Sequence, residues 1–178
     1  ALFGISLLLG GLMLSGVVHA ADTPYYGKLY TQPEQLSSLY PEPRAAFQTP
    51  AFVKDDEAFT TQEEMMRFIT RLTKKSPNVK MKNIGFSIEK RAIPVLYFTK
   101  DDRILSVSNK PTIWLEAQIH GNEPASGESA LAIAEKLAGP YGDKVLQKVN
   151  VIIVPRINPD GSYQFTRKLA SGIDANRD

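Results

Sequence analysis

The sequence predicts a mixed α/β fold, in which helices flank a largely parallel central sheet. An amphipathic helical pattern comes first, and two β-rich runs follow it. A strand, a helix and a further strand then occur in that order, an arrangement that is typical of parallel strands joined by a helical crossover. The 178 residues, of which 43% are hydrophobic, are enough to bury one sizeable core.

The first twenty residues contain no charged side chain and end in Val18-His19-Ala20. Small residues at the first and third of these positions suit signal peptidase, so residues 1–20 are predicted to be a signal peptide. A retained membrane anchor is the alternative, because about 20 apolar residues can span a bilayer. The chain has no cysteine and therefore no disulfide framework. We expect a periplasmic or secreted protein without stable membrane association after cleavage.

Residues 21–59 are rich in Pro, Gln, Ser and Tyr and show no sustained period, which predicts an extended N-terminal leader. The main domain is predicted to begin at Thr60 with an amphipathic helix. Thr61 and Glu64 have the spacing of a capping box at its start. The apolar stripe of this helix consists of Met65, Phe68, Ile69 and Leu72.

The remaining elements follow from β-rich runs and helical spacing. Two runs, at 84–87 and 93–99, flank a charged segment and predict a hairpin. The apolar segments 111–119 and 149–155 predict a third and a fourth strand, both buried on their two faces. The helix between these strands is predicted to end at Gly139 and to bury Ala130, Ile133, Ala134 and Leu137.

The segment QIHGNEP at 118–124 is placed at the carboxyl end of a central strand, where open α/β sheets bind ligands. His120 and Glu123 can both face one metal ion there. Catalytic zinc usually takes three protein ligands from histidine and carboxylates and leaves a position for water. In the alternative interpretation, His120 only ends the strand and Glu123 is an acid that suits the dipole of the following helix.

A second polar group follows the fourth strand. NPDG at 158–161 predicts a turn, and Arg167 and the pair Asn176-Arg177 come after it. Arginine donates in a planar fork that suits carboxylates, and asparagine can add a donor beside it. The alternative is an ordinary turn followed by solvated arginines.

Taken together, these segments resemble the zinc carboxypeptidase family, the metallopeptidases typified by pancreatic carboxypeptidase A. The matching segments are, in order, GFSIEKR, HGNE, NPDG, the arginine of TRK, and DANRD. The resemblance covers about residues 60–178 and implies a carboxypeptidase-like, or phosphorylase/hydrolase-like, fold. It also implies that these residues are a partial catalytic domain, truncated at the C-terminus.

The resemblance implies a zinc-dependent metallocarboxypeptidase, which hydrolyses the C-terminal peptide bond of peptides with a zinc-activated water. His120 and Glu123 would be ligands of one Zn²⁺ ion. Asp174 would accept a hydrogen bond from the ligand histidine and so select its tautomer. A third ligand and a general base are expected beyond Asp178, because no histidine follows Glu123. The 178 residues alone are therefore expected to be inactive.

The resemblance also implies how a peptide would be held. Arg167 would polarise the scissile carbonyl and stabilise the oxyanion that develops there. Asn176 and Arg177 would bind the free C-terminal carboxylate of the substrate, whereas Arg91 is expected to be structural. The sequence departs from the pancreatic pattern at Asn122, where an arginine is usual. It departs again at Asp178, where asparagine is usual, and the segment before Arg167 is shorter.

Two other functions fit the same motifs. A zinc amidoacylase of the aspartoacylase or succinylglutamate desuccinylase type resembles the same fold and also uses HGNE and an Asp-x-Asn-Arg segment. A non-catalytic peptide-binding or wall-binding relative is the second. Nucleic acid is not an expected partner, because the net charge is only +2 and no dense Lys/Arg run is present.

Overall fold

The computed structural model describes residues 34–39, 46–54, 58–101 and 109–178. The chain divides into two compact units, residues 1–44 and 45–178, and α1 (Glu34–Leu39) belongs to the first. The second unit contains α2 (Pro50–Val53), α3 (Gln62–Lys75), β1 (Val79–Phe86), β2 (Ala92–Phe98), β3 (Thr112–Glu116), α4 (Pro124–Ala138), α5 (Pro140–Val145), β4 (Asn150–Val154) and α6 (Pro159–Gln164).

The predicted signal peptide lies outside the described residues. The predicted leader is interrupted by two short helices, α1 and α2. Among the helices that the structure describes, none has the length and apolar character that a membrane crossing requires.

The mixed α/β class with flanking helices is confirmed. Four strands form one sheet in the order β1-β2-β4-β3. β3 and β4 are parallel and are connected through α4 and α5, as predicted, whereas β2 is antiparallel to both β1 and β4. Among the described strands, parallel pairing is thus limited to one edge of the sheet. β3 is the edge strand there, not a central one.

Helix α3 forms where the sequence predicts it. The predicted hairpin is also present, but β1 begins at Val79, five residues before the run predicted at 84–87. Thr61 Oγ1 accepts the Glu64 amide at 3.2 Å, and the Glu64 carboxylate accepts the Thr61 amide at 2.8 Å, which completes the capping box. The predicted apolar stripe of α3 is fully buried. β1 and β2 pair along their whole lengths, and the Ser87 amide donates to the Arg91 carbonyl at 2.9 Å to close the turn.

Burial differs from the prediction at two places. β4 is buried at every position, as predicted, but Ile113 and Trp114 of β3 are 44% and 54% exposed. β3 lies at the edge of the described sheet, with β4 as its hydrogen-bonded neighbour, and its side chains are less covered than those of β4. In α4, Ile133 is 42% exposed, and Leu131 occupies the core instead. The buried stripe of this helix runs through Gly127, Ala130, Leu131, Ala134 and Leu137.

Candidate active site

The turn between β3 and α4 carries the candidate metal ligands. His120 is buried, and Glu123, which is half exposed, is the N-cap residue of α4. The backbone of the turn is fastened to the segment after β4, because the Ile157 amide donates to the Ala117 carbonyl at 3.0 Å. The Asn158 amide donates to the Gln118 carbonyl at 3.2 Å. These bonds extend the contact between the two parallel strands beyond their carboxyl ends.

The predicted NPDG turn is in fact the start of helix α6. Asn158 is the N-cap, and its side-chain oxygen accepts the Gly161 amide at 2.9 Å. Asparagine caps helices well. Proline, which has no N–H group, fits the first helical position because an N–H there would have no partner within the helix. Asn158 and Pro159, which predicted a turn, therefore begin a helix instead. The Asn158 side-chain nitrogen also donates to the carbonyls of Ile119 and Lys168, at 3.1 and 3.2 Å.

Gly121 allows the turn to lie directly on α6. A Cβ atom at this position would be 1.8 Å from the Gly161 carbonyl carbon and 2.2 Å from the Ser162 nitrogen. Both neighbours are backbone atoms, so a side chain at Gly121 could be accommodated only by moving the turn or the helix. The glycine of HGNE is therefore required for the close approach of two backbones.

Four of the predicted site residues form a closed ring of contacts. The Nδ1 atom of His120 lies 3.1 Å from Glu123 Oε1, and its Nε2 atom lies 3.0 Å from Asp174 Oδ1. Arg167 closes the ring by donating from Nε to Asp174 Oδ2 at 2.7 Å and from Nη1 to Glu123 Oε1 at 3.2 Å. The imidazole thus lies between a carboxylate three positions away in the chain and one 54 positions away.

Asp174 is the anionic centre of this ring. Burial by itself raises the pKa of its carboxyl, but three donors outweigh that effect and hold the pKa well below its usual range. These donors are the Asn176 amide, at 3.0 Å, and the side chains of Arg167 and His120. Asp174 is therefore ionised near neutral pH and can accept a hydrogen bond from the imidazole.

Asn176 and Arg177 lie beside the ring but outside it. Asn176 contacts Asp174 through its backbone amide, and the Arg177 guanidinium donates to the Asn176 carbonyl at 2.7 Å. Both residues are exposed. In the described part of the chain, the side chains of these two predicted substrate-binding residues are therefore accessible to a ligand and make no hydrogen bond to His120, Glu123, Asp174 or Arg167.

His120 Nδ1 and Glu123 Oε1 have a spacing that suits two of the protein ligands of a zinc ion. Two ligands of one tetrahedral zinc lie about 3.3 Å apart, given metal–ligand bonds of about 2.0 to 2.2 Å. The observed separation of Nδ1 and Oε1, 3.1 Å, is close to that value. Within residues 34–39, 46–54, 58–101 and 109–178, no group of three or more His, Cys, Asp or Glu side chains could hold a metal ion.

A model of the zinc carboxypeptidase family matches residues 65–178. The chain belongs to the zinc carboxypeptidase family. Carboxypeptidase 2 of Trichophyton rubrum is 35% identical over 67% of this chain, and carboxypeptidase A2 of Rattus norvegicus is 34% identical over 62%. The chain spans 23% and 26% of the lengths of these two relatives.

Solved structures are similar in fold to this chain. A metallo-carboxypeptidase from Pseudomonas aeruginosa is 25% identical over 65% of this chain, with a TM-score of 0.56. The thrombin activatable fibrinolysis inhibitor is 25% identical over 67% of this chain, with a TM-score of 0.57. The chain covers 30% and 32% of these two structures.

The structure also explains the GFSIEKR motif of this zinc carboxypeptidase chain. Asp160, buried in the first turn of α6, accepts hydrogen bonds from Ser87 Oγ at 2.6 Å, the Glu89 amide at 3.1 Å and Arg91 Nη1 at 2.7 Å. Although burial raises the pKa of the Asp160 carboxyl, these donors lower it overall. Arg91 is therefore structural, as expected. Its partner was not predicted, because no local pattern pairs residues 69 positions apart.

Two further buried polar residues were missed by the sequence analysis. Arg156 follows β4 and is only 4% exposed, and Glu128 lies on the buried face of α4. Glu128 accepts the amide and the hydroxyl of Thr60, at 2.9 and 2.8 Å. A charged residue inside an apolar helical stripe was the available signal for Glu128. For Arg156, its position directly after a fully buried strand was the signal.

Proposed function

We propose that the protein is a zinc-dependent metallocarboxypeptidase that hydrolyses the C-terminal peptide bond of peptides. The observation that carries this proposal is the setting of His120, whose two ring nitrogens face different carboxylates. A ring that binds metal through Nδ1 carries its proton on Nε2, and the Nε2–H group can donate a hydrogen bond to the Asp174 carboxylate. Membership of the zinc carboxypeptidase family supports this assignment.

The zinc ion would be held by His120 Nδ1 and the Glu123 carboxylate, which are two of the three protein ligands that catalytic zinc usually takes. When bound, such an ion acts as a Lewis acid and lowers the pKa of a water molecule towards 7. Asp174 orients the imidazole. The Arg167 guanidinium, held by two carboxylates at the edge of the ring, is placed to donate to a substrate carbonyl oxygen as negative charge develops there.

The exposed pair Asn176 and Arg177 would bind the terminal carboxylate of the substrate. An arginine fork with an amide beside it matches two carboxylate oxygens, and this contact would restrict cleavage to the last residue of a peptide. The apolar residues 1–20 support export to the periplasm or the medium, where peptides with free C-termini would be the substrates.

The proposed function is tested by removing and restoring the metal. We expect the full-length protein to release C-terminal residues from peptides, to lose this activity with a chelator and to regain it with zinc. Glu123→Gln should bind zinc more weakly, because it loses the anionic ligand, whereas Glu89→Gln, an exposed carboxylate away from the ring, should not. Peptidase activity that survives complete metal removal would contradict the proposal. Hydrolysis of N-acyl amino acids without peptide cleavage would favour the amidoacylase instead.

Arg177→Ala should impair substrates that have a free C-terminal carboxylate far more than substrates that end in a carboxamide. Losing a charged hydrogen bond costs about 1.5 to 3 kcal/mol, which corresponds to roughly a ten- to hundredfold loss in kcat/KM. The measurement compares kcat/KM for matched free and blocked peptides. Arg67→Ala, an exposed arginine on α3, is the control and should change neither value. Equal losses on both peptides would show that Arg177 does not bind the terminus.

A further inference from the structure

A buried arginine lies behind the turn that carries the candidate ligands. Arg156 donates from Nε to Gln118 Oε1 at 2.8 Å and from Nη2 to the Thr60 carbonyl at 2.7 Å. Burial lowers the pKa of its guanidinium, and the nearby Glu128 carboxylate opposes that shift. A buried charge is unfavourable unless its hydrogen bonds are well satisfied. The arginine is therefore a rigid anchor, fixed on one side to the residue before the Thr61 cap of α3 and on the other to Gln118.

Gln118 connects this anchor to the turn. It is 3% exposed, and its φ angle of 53° lies in the left-handed region, which is unfavourable for a residue with a side chain. Its side-chain nitrogen donates to the Gly121 carbonyl at 3.0 Å and to Ser162 Oγ at 3.1 Å. The side chain thus bridges the turn and α6.

The position of Gln118 leaves little freedom for the turn. A Cβ atom at Gly127 would be 2.6 Å from Gln118 Oε1, so the amide fits in a slot against the first turns of α4. The Gly121 carbonyl that Gln118 binds follows His120 directly in the chain. Gly121 itself lies against Gly161, so the turn is held from two sides. Arg156, Gln118 and the Gly121 carbonyl form one continuous path of contacts.

We propose that Gln118 and Arg156 are positioning residues for the metal-binding turn. The Arg156 guanidinium fixes the orientation of the Gln118 amide, and that amide holds the Gly121 carbonyl, so that the His120 imidazole and the Glu123 carboxylate face a single point. The side-chain hydrogen bonds of Gln118 and Arg156 that the described structure shows go to partners outside the ring of His120, Glu123, Asp174 and Arg167. This inference rests on the proposed zinc function, because the turn is taken to bind the metal.

The test measures zinc affinity in the full-length protein. Gln118→Ala removes the bridge, and Arg156→Lys keeps the charge but loses the planar fork that holds Gln118. Competition with a chromogenic chelator should show about ten- to hundredfold weaker zinc binding for both variants, the loss typical of residues that support metal ligands. The double variant should bind no more weakly than Gln118→Ala alone, because both residues act through one path.

The matched control is Thr99→Val, which removes a buried hydrogen bond of 2.8 Å to Asn150 at the opposite end of β4. It should lower the melting temperature of the zinc-free protein but leave zinc affinity unchanged. Variants at Gln118 and Arg156 that melt like the control and bind zinc like the wild type would overturn the positioning role and leave the proposed function intact. A wild-type protein that binds no zinc would overturn both. If Gln118→Ala does not fold, Arg156→Lys decides the question.

Discussion

Replacing Arg167 with alanine is expected to lower kcat/KM of the full-length protein about 100- to 1000-fold. Loss of one donor to a developing oxyanion costs about 2.7 to 4 kcal/mol in enzymes that stabilise such charge. Arg167 is the residue that we propose for this role, and Asp174 and Glu123 hold its guanidinium at the edge of the ring. Steady-state kinetics on a peptide with a free C-terminus would measure the loss, which should lie mainly in kcat.

One control and one conservative variant test whether the position and the planar fork of Arg167 matter, beyond its positive charge. Lys168→Ala removes the neighbouring exposed cation and should leave kcat/KM nearly unchanged. Arg167→Lys keeps a positive charge without the planar fork and should recover only part of the lost activity. Zinc affinity must be measured for each variant. If Arg167→Ala loses activity only in proportion to lost zinc, Arg167 acts through Glu123 and Asp174 and not on the substrate.

Arg91→Met is expected to destabilise the fold by about 3 to 5 kcal/mol, the usual effect of removing one partner of a buried ion pair. The Asp160 side chain is 3% exposed and the Arg91 side chain 19%, so the carboxylate would stay buried without its cation. Urea unfolding would measure the change. Glu89→Gln is the control, because Glu89 also pairs with Arg91 but is exposed, and such pairs contribute about 0 to 1 kcal/mol.

The effect of Arg91→Met should also depend on pH. The pKa of Asp160 is lowered in the folded protein, so its ion pair stabilises the fold above the unfolded pKa of aspartate, about 3.9. That contribution is lost as the pH falls through the folded pKa. The difference in unfolding free energy between wild type and variant should therefore be largest near neutral pH and should shrink in acid. A difference that is constant from pH 7 to pH 2 would contradict this account of the pair.

The pair formed by Arg91 and Asp160 also has a place in the site. Asp160 lies in α6 beside Gly161, and Gly161 is the surface on which the Gly121 turn rests. The hairpin formed by β1 and β2 thus holds α6 at Asp160, while the ligand turn packs on α6 at Gly161. A loosened α6 in Arg91→Met would therefore lower activity as well as stability.

The sequence by itself determined the elements whose signals are local. The capping box and apolar stripe of α3, the hairpin of β1 and β2, and the end of α4 at Gly139 depend on residues within a few positions of one another. Hydrogen-bond spacing and periodicity are visible at that range. The ordered motifs placed His120 and Glu123 after a strand in the same way, because a turn between a strand and a helix keeps two such side chains close.

Only the tertiary structure decided which distant residues meet and which faces are covered. Apolar composition predicted burial for β3 and Ile133, but exposure depends on which elements pack there, and β3 lies at a sheet edge. NPDG was predicted to form a turn, and in the structure Asn158 caps helix α6 instead. The Arg156 anchor reaches a carbonyl 96 residues away. A buried polar side chain bonds to a group that the fold brings within about 3 Å, and the separation of the two residues along the chain does not determine which group that is.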